Sequence, residues 1–225
     1  MSNHLIIAID GPAGAGKSTV ARALAKRLGF THIDTGAMYR AVALWATRLG
    51  MDLDDLHRLE QLAKEARIEF AGDANGRSQQ QQRVLLNGED VTAAIREPHI
   101  GDAASKVAAC PGVRRAMRDE QRRIGASGPA VMEGRDIGTV VFPEAKVKVF
   151  LDAGAEERAR RRSLETGAEL GDVARDMADR DRRDRTRAEA PLLQASDAEY
   201  LDTTSLAPEQ VEERILKLVR ERTSN

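Results

Sequence analysis

Eight consecutive residues, Gly11-Pro12-Ala13-Gly14-Ala15-Gly16-Lys17-Ser18, fill every position of the spacing G-x-x-x-x-G-K-[ST]. Glycines so placed let a backbone turn its N–H groups inward, and they spare a bound phosphate any clash with a Cβ. The last two residues have separate tasks. Lys17 is expected to reach the β- and γ-phosphates of a nucleoside triphosphate, and the Ser18 hydroxyl to help hold Mg2+. In this reading Lys17 faces solvent from a loop and contributes charge rather than packing.

Arginine is the second chemical feature. Arg158, Arg160, Arg161 and Arg162 form one cluster, and Arg180-Asp181-Arg182-Arg183-Asp184-Arg185-Thr186-Arg187 forms another. Glu165–Asp172 lies between them with Gly167 and Gly171 and reads as the turn of a helix–loop–helix. A solvated face laced with i,i+3 and i,i+4 pairs, such as Asp176 with Arg180, explains part of this pattern. An RNA-binding stripe should carry aromatics for base stacking, and residues 156–190 contain none. Guanidinium forks suit the charge that phosphoryl transfer spreads over several oxygens. On a movable helical pair they would close over a triphosphate and expel water.

These groups need elements to hold them. Leu5–Asp10 is a short apolar run ending where the glycines begin, so it reads as a buried strand. Val20, Leu24 and Leu28 then recur every four residues, which predicts a helix from about Ser18. Thr31–Asp34 is a second strand and Met38–Leu49 a helix. Pro129–Glu133, Val147–Asp152 and Tyr200–Asp202 are further strands, and a helix follows Pro208. This alternation predicts an α/β fold, a five-stranded parallel sheet flanked by helices with ligands at the carboxyl ends of its strands. Asp10, Asp34, Glu133 and Asp152 fall at those ends, the expected rim of an active site. Between about Arg67 and Val91 the rhythm breaks. Asn87-Gly88 between apolar residues signals a hairpin, and the polar tract through Gln79–Gln82 reads as a loop. Arg67–Ala109 is accordingly expected to be a small antiparallel β insert lobe with flanking helices.

Composition narrows the partners. The 225 residues suit one large domain, and 35 Lys and Arg against 36 Asp and Glu leave a net charge of −1, with no general pull toward nucleic acid or membrane. No apolar run approaches the length of a membrane span, and Met1–Asp10 lacks the pattern of a signal peptide. Cys110 is the single cysteine, so no disulfide framework exists and a reducing cytoplasm is expected. The histidines His4, His32, His57 and His99 show no ligand spacing.

Two further stretches, Asp34-Thr35-Gly36-Ala37-Met38-Tyr39-Arg40 and Glu133-Gly134-Arg135-Asp136-Ile137-Gly138-Thr139, complete a specific pattern with the glycine loop and the Arg180–Pro191 run. Over nearly its whole length the chain resembles the bacterial cytidylate kinases of the nucleoside monophosphate kinase superfamily. The resemblance implies a P-loop kinase core, residues 1–225 as one domain, with the insert lobe at 67–109 and a helical lid at 156–187. It implies ATP and Mg2+ as cofactors and CMP or dCMP as the small-molecule acceptor, handled by a cytoplasmic monomer. Gly11, Pro12, Ala13, Gly14, Ala15, Gly16, Lys17, Ser18 and Thr19 would bind ATP, with Ser18 on the metal. Thr35, Tyr39, Arg40, Ser105, Arg114, Arg135, Asp136, Arg180, Asp184 and Arg187 would bind the monophosphate nucleotide. Lys17, Arg135, Arg158 and Arg162 would be catalytic.

A regulatory P-loop switch is the competing class. It should carry Asn-Lys-x-Asp for guanine, and Asn3, Asn75, Asn87 and Asn225 include no such motif. Asp73-Ala74-Asn75-Gly76 spells D-x-x-G, but within the polar tract rather than after a central strand.

Overall fold

Ile6–Asp10 forms β1, five residues buried throughout, as its unbroken apolar run requires of a central parallel strand. The structure is a computed structural model describing residues 4–71 and 82–224, in two compact units. Asp73–Gly76 and Gln79–Gln81 lie outside the described residues.

The first unit comprises residues 1–33 and 125–225. After β1 come α1 (Lys17–Leu28) and β2 (Thr31–Asp34), at whose end the second unit begins. The chain returns through β6 (Ala130–Gly134), β7 (Val147–Asp152), α6 (Ala155–Thr166), α7 (Leu170–Thr186), β8 (Glu199–Asp202) and α8 (Pro208–Thr223). The five-stranded sheet runs β2-β6-β1-β7-β8. β1 lies parallel to β6 with Asp10 opposite Gly134, and parallel to β7 with Asp10 opposite Phe150. That register puts the glycine loop beside the turn after β6. Ile7, Ile9, Val131, Val149 and Leu151 pack with Val20 and Leu24 of α1 and Val211 and Ile215 of α8. α6 and α7 meet through Ala159, Val173 and Met177, against which Ala13 packs.

The second unit, residues 34–124, holds α2 (Thr35–Arg48), α3 (Leu56–Glu65), β3 (Ile68–Ala71), β4 (Arg83–Leu86), β5 (Glu89–Asp90), α4 (Pro98–Val107) and most of α5 (Pro111–Gly125). β3-β4-β5 is an antiparallel sheet. Asn87 (φ 52°) and Gly88 (φ 85°) join its last two strands, the paired positive φ values of a tight hairpin turn. α2 starts three residues before the expected Met38, because the Asp34 side chain accepts from the Ala37 N–H and caps the helix from outside. Among the described residues no helix is long and apolar enough to cross a membrane.

Candidate active site

The glycine loop obeys its backbone geometry. Gly11 (φ 147°), Gly14 (φ 75°) and Gly16 (φ 86°) all adopt conformations that side-chain-bearing residues avoid. A Cβ at Gly11 would collide with the Leu151 carbonyl, and one at Gly14 would lie 3.0 Å from Arg158 and Met177. The loop is thus pressed between β7 and the α6–α7 pair, and α1 leaves it with its N-terminus uncapped by any side chain, as an anion site requires.

Lys17 corrects the expectation of a solvent-facing side chain: it is 6% exposed. Its Nζ donates to the Pro12 carbonyl at 2.6 Å inside the loop. Burial, with the nearby positive charges of Arg135 and Arg180, lowers its pKa to about 7, against the opposing pull of Glu133 and Asp10.

Ser18, exposed at the start of α1, donates to Glu133 Oε2 at 2.7 Å. The other carboxylate oxygen of Glu133 lies 2.9 Å from His32 Nε2. This donor set fits a magnesium ion held mainly by substrate phosphates: one neutral hydroxyl oxygen at Ser18, oriented by its hydrogen bond to Glu133, and water for the rest. No cluster of three or more His, Cys, Asp or Glu suited to a metal occurs among the described residues.

Beyond β6, Arg135 Nε pairs with Asp184 Oδ2 at 2.9 Å, and Arg187 bridges Asp184 at 3.4 Å and Asp136 at 3.5 Å. Burial pushes the Asp184 carboxyl up, but Arg135, Arg187 and Arg180 more than offset it and hold it below the usual carboxylate range. Asp10, expected on the rim, is instead buried, its oxygens accepting from the Ile137 and Gly138 N–H groups at 2.8 and 2.7 Å. Asp34 serves as the α2 cap, and Asp152 accepts from the Ala153 N–H.

The two named lid arginines differ. Arg158 is buried, donating to the Ala153 and Ala13 carbonyls and pairing with Asp181 at 2.7 Å, so it ties α6 to α7 and to the glycine loop. Arg162 is exposed and pairs with Glu165 at 3.1 Å, the ordinary i,i+3 contact. In the second unit Thr35, Ser105 and Arg114 are buried. Arg114 lies 5.4 Å over the Tyr39 ring, and Arg40 pairs with Asp34 at 2.7 Å. The Ser105 Oγ has no hydrogen-bond partner among the described residues, a buried hydroxyl suited to a ligand.

The sequence pattern of the family described as Cytidylate kinase matches residues 7–221. The chain belongs to the cytidylate kinase family. It is 57% identical over 229 residues to the Cytidylate kinase of Solibacter usitatus (strain Ellin6076), across 99% of this chain and 95% of that protein. It is 51% identical to the Cytidylate kinase of Pelotomaculum thermopropionicum (strain DSM 13744 / JCM 10971 / SI), across 97% of each. A solved structure of an uncharacterized protein from Eubacterium ventriosum ATCC 27560 shares the fold, with a TM-score of 0.56 at 12% identity over 97% of this chain and 99% of that one. Membership makes this chain a phosphotransferase with ATP as its phosphoryl donor.

The sequence reading gave His32 and Thr203 no role and Glu133 only a place on the rim. Glu133 reaches Ser18 across 115 residues of chain and His32 across 101. Thr203, buried, donates to the Ala15 carbonyl at 3.1 Å and braces the loop from beyond β8. Arg161 in turn donates to the Thr203 carbonyl at 2.6 Å. Only the strand-end position of Glu133 carried a signal; His32 and Thr203 carried none.

Proposed function

We propose that this chain transfers the γ-phosphoryl group of ATP to CMP or dCMP, giving ADP and CDP or dCDP. One observation carries the reading beyond family membership. Lys17 lies among Arg135, Arg180, Glu133 and Asp10, with enough positive charge and burial to bring it to about 7, a site built to receive polyanions. The acceptor is a phosphate oxygen that is ionised near neutrality, so no general base is required. Catalysis is then the alignment of two polyanions and the neutralisation of their repulsion.

The roles divide as follows. Residues 11–19 bind ATP, and Lys17, Arg135, Arg158 and Arg162 stabilise the transferring group. Thr35, Tyr39, Arg40, Ser105, Arg114, Arg135, Asp136, Arg180, Asp184 and Arg187 bind the monophosphate nucleotide. Magnesium, held through Ser18, would supply charge neutralisation on the phosphates. Residues 156–187 act as a lid and 67–109 as an insert lobe on the monophosphate side. The chain acts as a cytoplasmic monomer on small molecules alone, in keeping with its net charge of −1 and single cysteine. ADP formation measured with CMP, dCMP, UMP and AMP tests the reading. CMP and dCMP should exceed UMP and AMP by about a hundredfold or more in kcat/KM. Equal use of AMP would overturn it.

A further inference from the structure

Asp10 is the last residue of β1 and the residue before Gly11, so its backbone opens the glycine loop. Its side chain looks the other way, toward the turn after β6. There Ile137–Val141 makes a short π-helical turn, with the Phe142 N–H bonded to the Ile137 carbonyl at 2.7 Å, a rare geometry often found at functional sites. The first two free N–H groups of that turn, at Ile137 and Gly138, are both taken by the Asp10 carboxylate. Asp136 occupies the cap position of the same turn, yet its side chain makes no capping bond. The cap comes from 127 residues away, and the Asp136 carboxylate instead faces Arg187 at 3.5 Å.

We propose that Asp10 is a positioning residue: by holding the Ile137 and Gly138 N–H groups it fixes the Arg135–Asp136 pair in register with the loop that Asp10 itself opens. The proposal rests on the reading that this pair binds the acceptor nucleotide. It gives the donor loop and the acceptor-reading pair one shared anchor inside one unit.

The electrostatics support a role beyond stability. Burial raises the Asp10 pKa to about 6, the two backbone bonds pull it down, Asp136 raises it and Lys17 lowers it. Lys148 also packs here, its Cδ and Cγ 3.2 and 3.3 Å from a Cβ built on Gly138, with its ammonium committed to the Pro143 carbonyl and Asp197. A folded-state pKa above the ordinary 3.8 means that this group's stabilising contribution is complete below that value and is lost as pH rises through about 6. At neutral pH the fold therefore holds a charge it would be more stable without.

The test is Asp10→Asn, isosteric but able to accept at only one of the two N–H groups, measured at about pH 8, where the CMP phosphate is fully ionised. We expect KM and Kd for CMP to rise at least about tenfold while the Kd for ATP stays within about threefold. The Ile137 and Gly138 amide resonances, which should follow a titration near pH 6 in the wild type, should be flat in the variant. CMP and ATP affinities falling together, or neither falling once the amide shifts confirm the lost contact, overturns the proposal. Should Asp10→Asn fail to fold, the wild type is titrated with cytidine 5′-sulfate, whose ester keeps one charge throughout. Its affinity should drop as pH falls through 6, whereas the titration of Lys17 works in the opposite sense. Affinity that stays constant over the pH range in which the Ile137 and Gly138 amide shifts report the titration of Asp10 overturns the proposal. A wild type that binds no CMP at all would instead refute the acceptor reading itself.

Discussion

Replacing Lys17 by Met should lower kcat by at least about a hundredfold while making the nucleotide-free protein harder to unfold. The first effect follows from removing a preorganised cation from the charge that develops on the transferring group, typically ~3 kcal/mol or more. The second follows from burial. The Lys17 pKa falls from 10.5 to about 7, so the unfolded chain holds this proton more readily than the folded one. Folding is penalised in full below pH 7, and the penalty disappears as pH rises toward 10.5. The span corresponds to about 5 kcal/mol. Against it stands the Pro12 carbonyl that Met leaves without a donor, a loss of about 1–3 kcal/mol. Near pH 6.5 the variant should therefore be more stable by about 2–4 kcal/mol, read from urea melts, and the gain should shrink by pH 10. ATP binding at pH 8 should draw a proton onto wild-type Lys17, visible as buffer-dependent binding heat, and draw none in the variant. A variant less stable at every pH contradicts the account of burial; turnover near wild type contradicts the phosphate role.

Asp136 offers the second large effect. Cytosine presents an amino donor at N4 and an acceptor at N3, and uracil reverses both. A carboxylate suits the N4 amino group. Asp136 is 7% exposed, makes no cap of its own turn, and has Arg187 at 3.5 Å. On the proposed reading, in which the Asp136 carboxylate takes the N4 amino group, Asp136→Ala should cut kcat/KM for CMP far more than for UMP. The CMP preference should narrow by roughly a hundredfold, each buried mismatch costing about 1–3 kcal/mol. Asp136→Asn, which keeps the shape and supplies an N–H, should tolerate UMP better than the wild type does. Equal losses on both substrates would make Asp136 structural and place base reading elsewhere.

What was legible in the chain was local. Gly11, Gly14 and Gly16 announce their left-handed conformations within eight residues, and Asn87-Gly88 announces a turn within two. Parallel strands were readable because burial on both faces leaves unbroken apolar runs such as Ile6–Asp10. What was not legible depends on register. Whether Asp10 faces a phosphate or a turn is decided by β1 lying level with β6, so that Asp10 falls opposite Gly134. The same strand pairing brings Glu133 within reach of Ser18. Lys17 looked solvent-facing because it was read as part of a loop, whereas α6 and α7 press on that loop from more than a hundred residues away. The arginine clusters illustrate both cases: Arg162 makes the local pair its spacing suggests, and Arg158 is buried by contacts its spacing could not announce.

The most direct test of the account follows the phosphoryl group itself. In a single turnover with ATP labelled at the γ-phosphorus, the label should appear in the β-phosphate of CDP, with none transferred when CMP is omitted. Label released as inorganic phosphate at the same rate with or without CMP would contradict it.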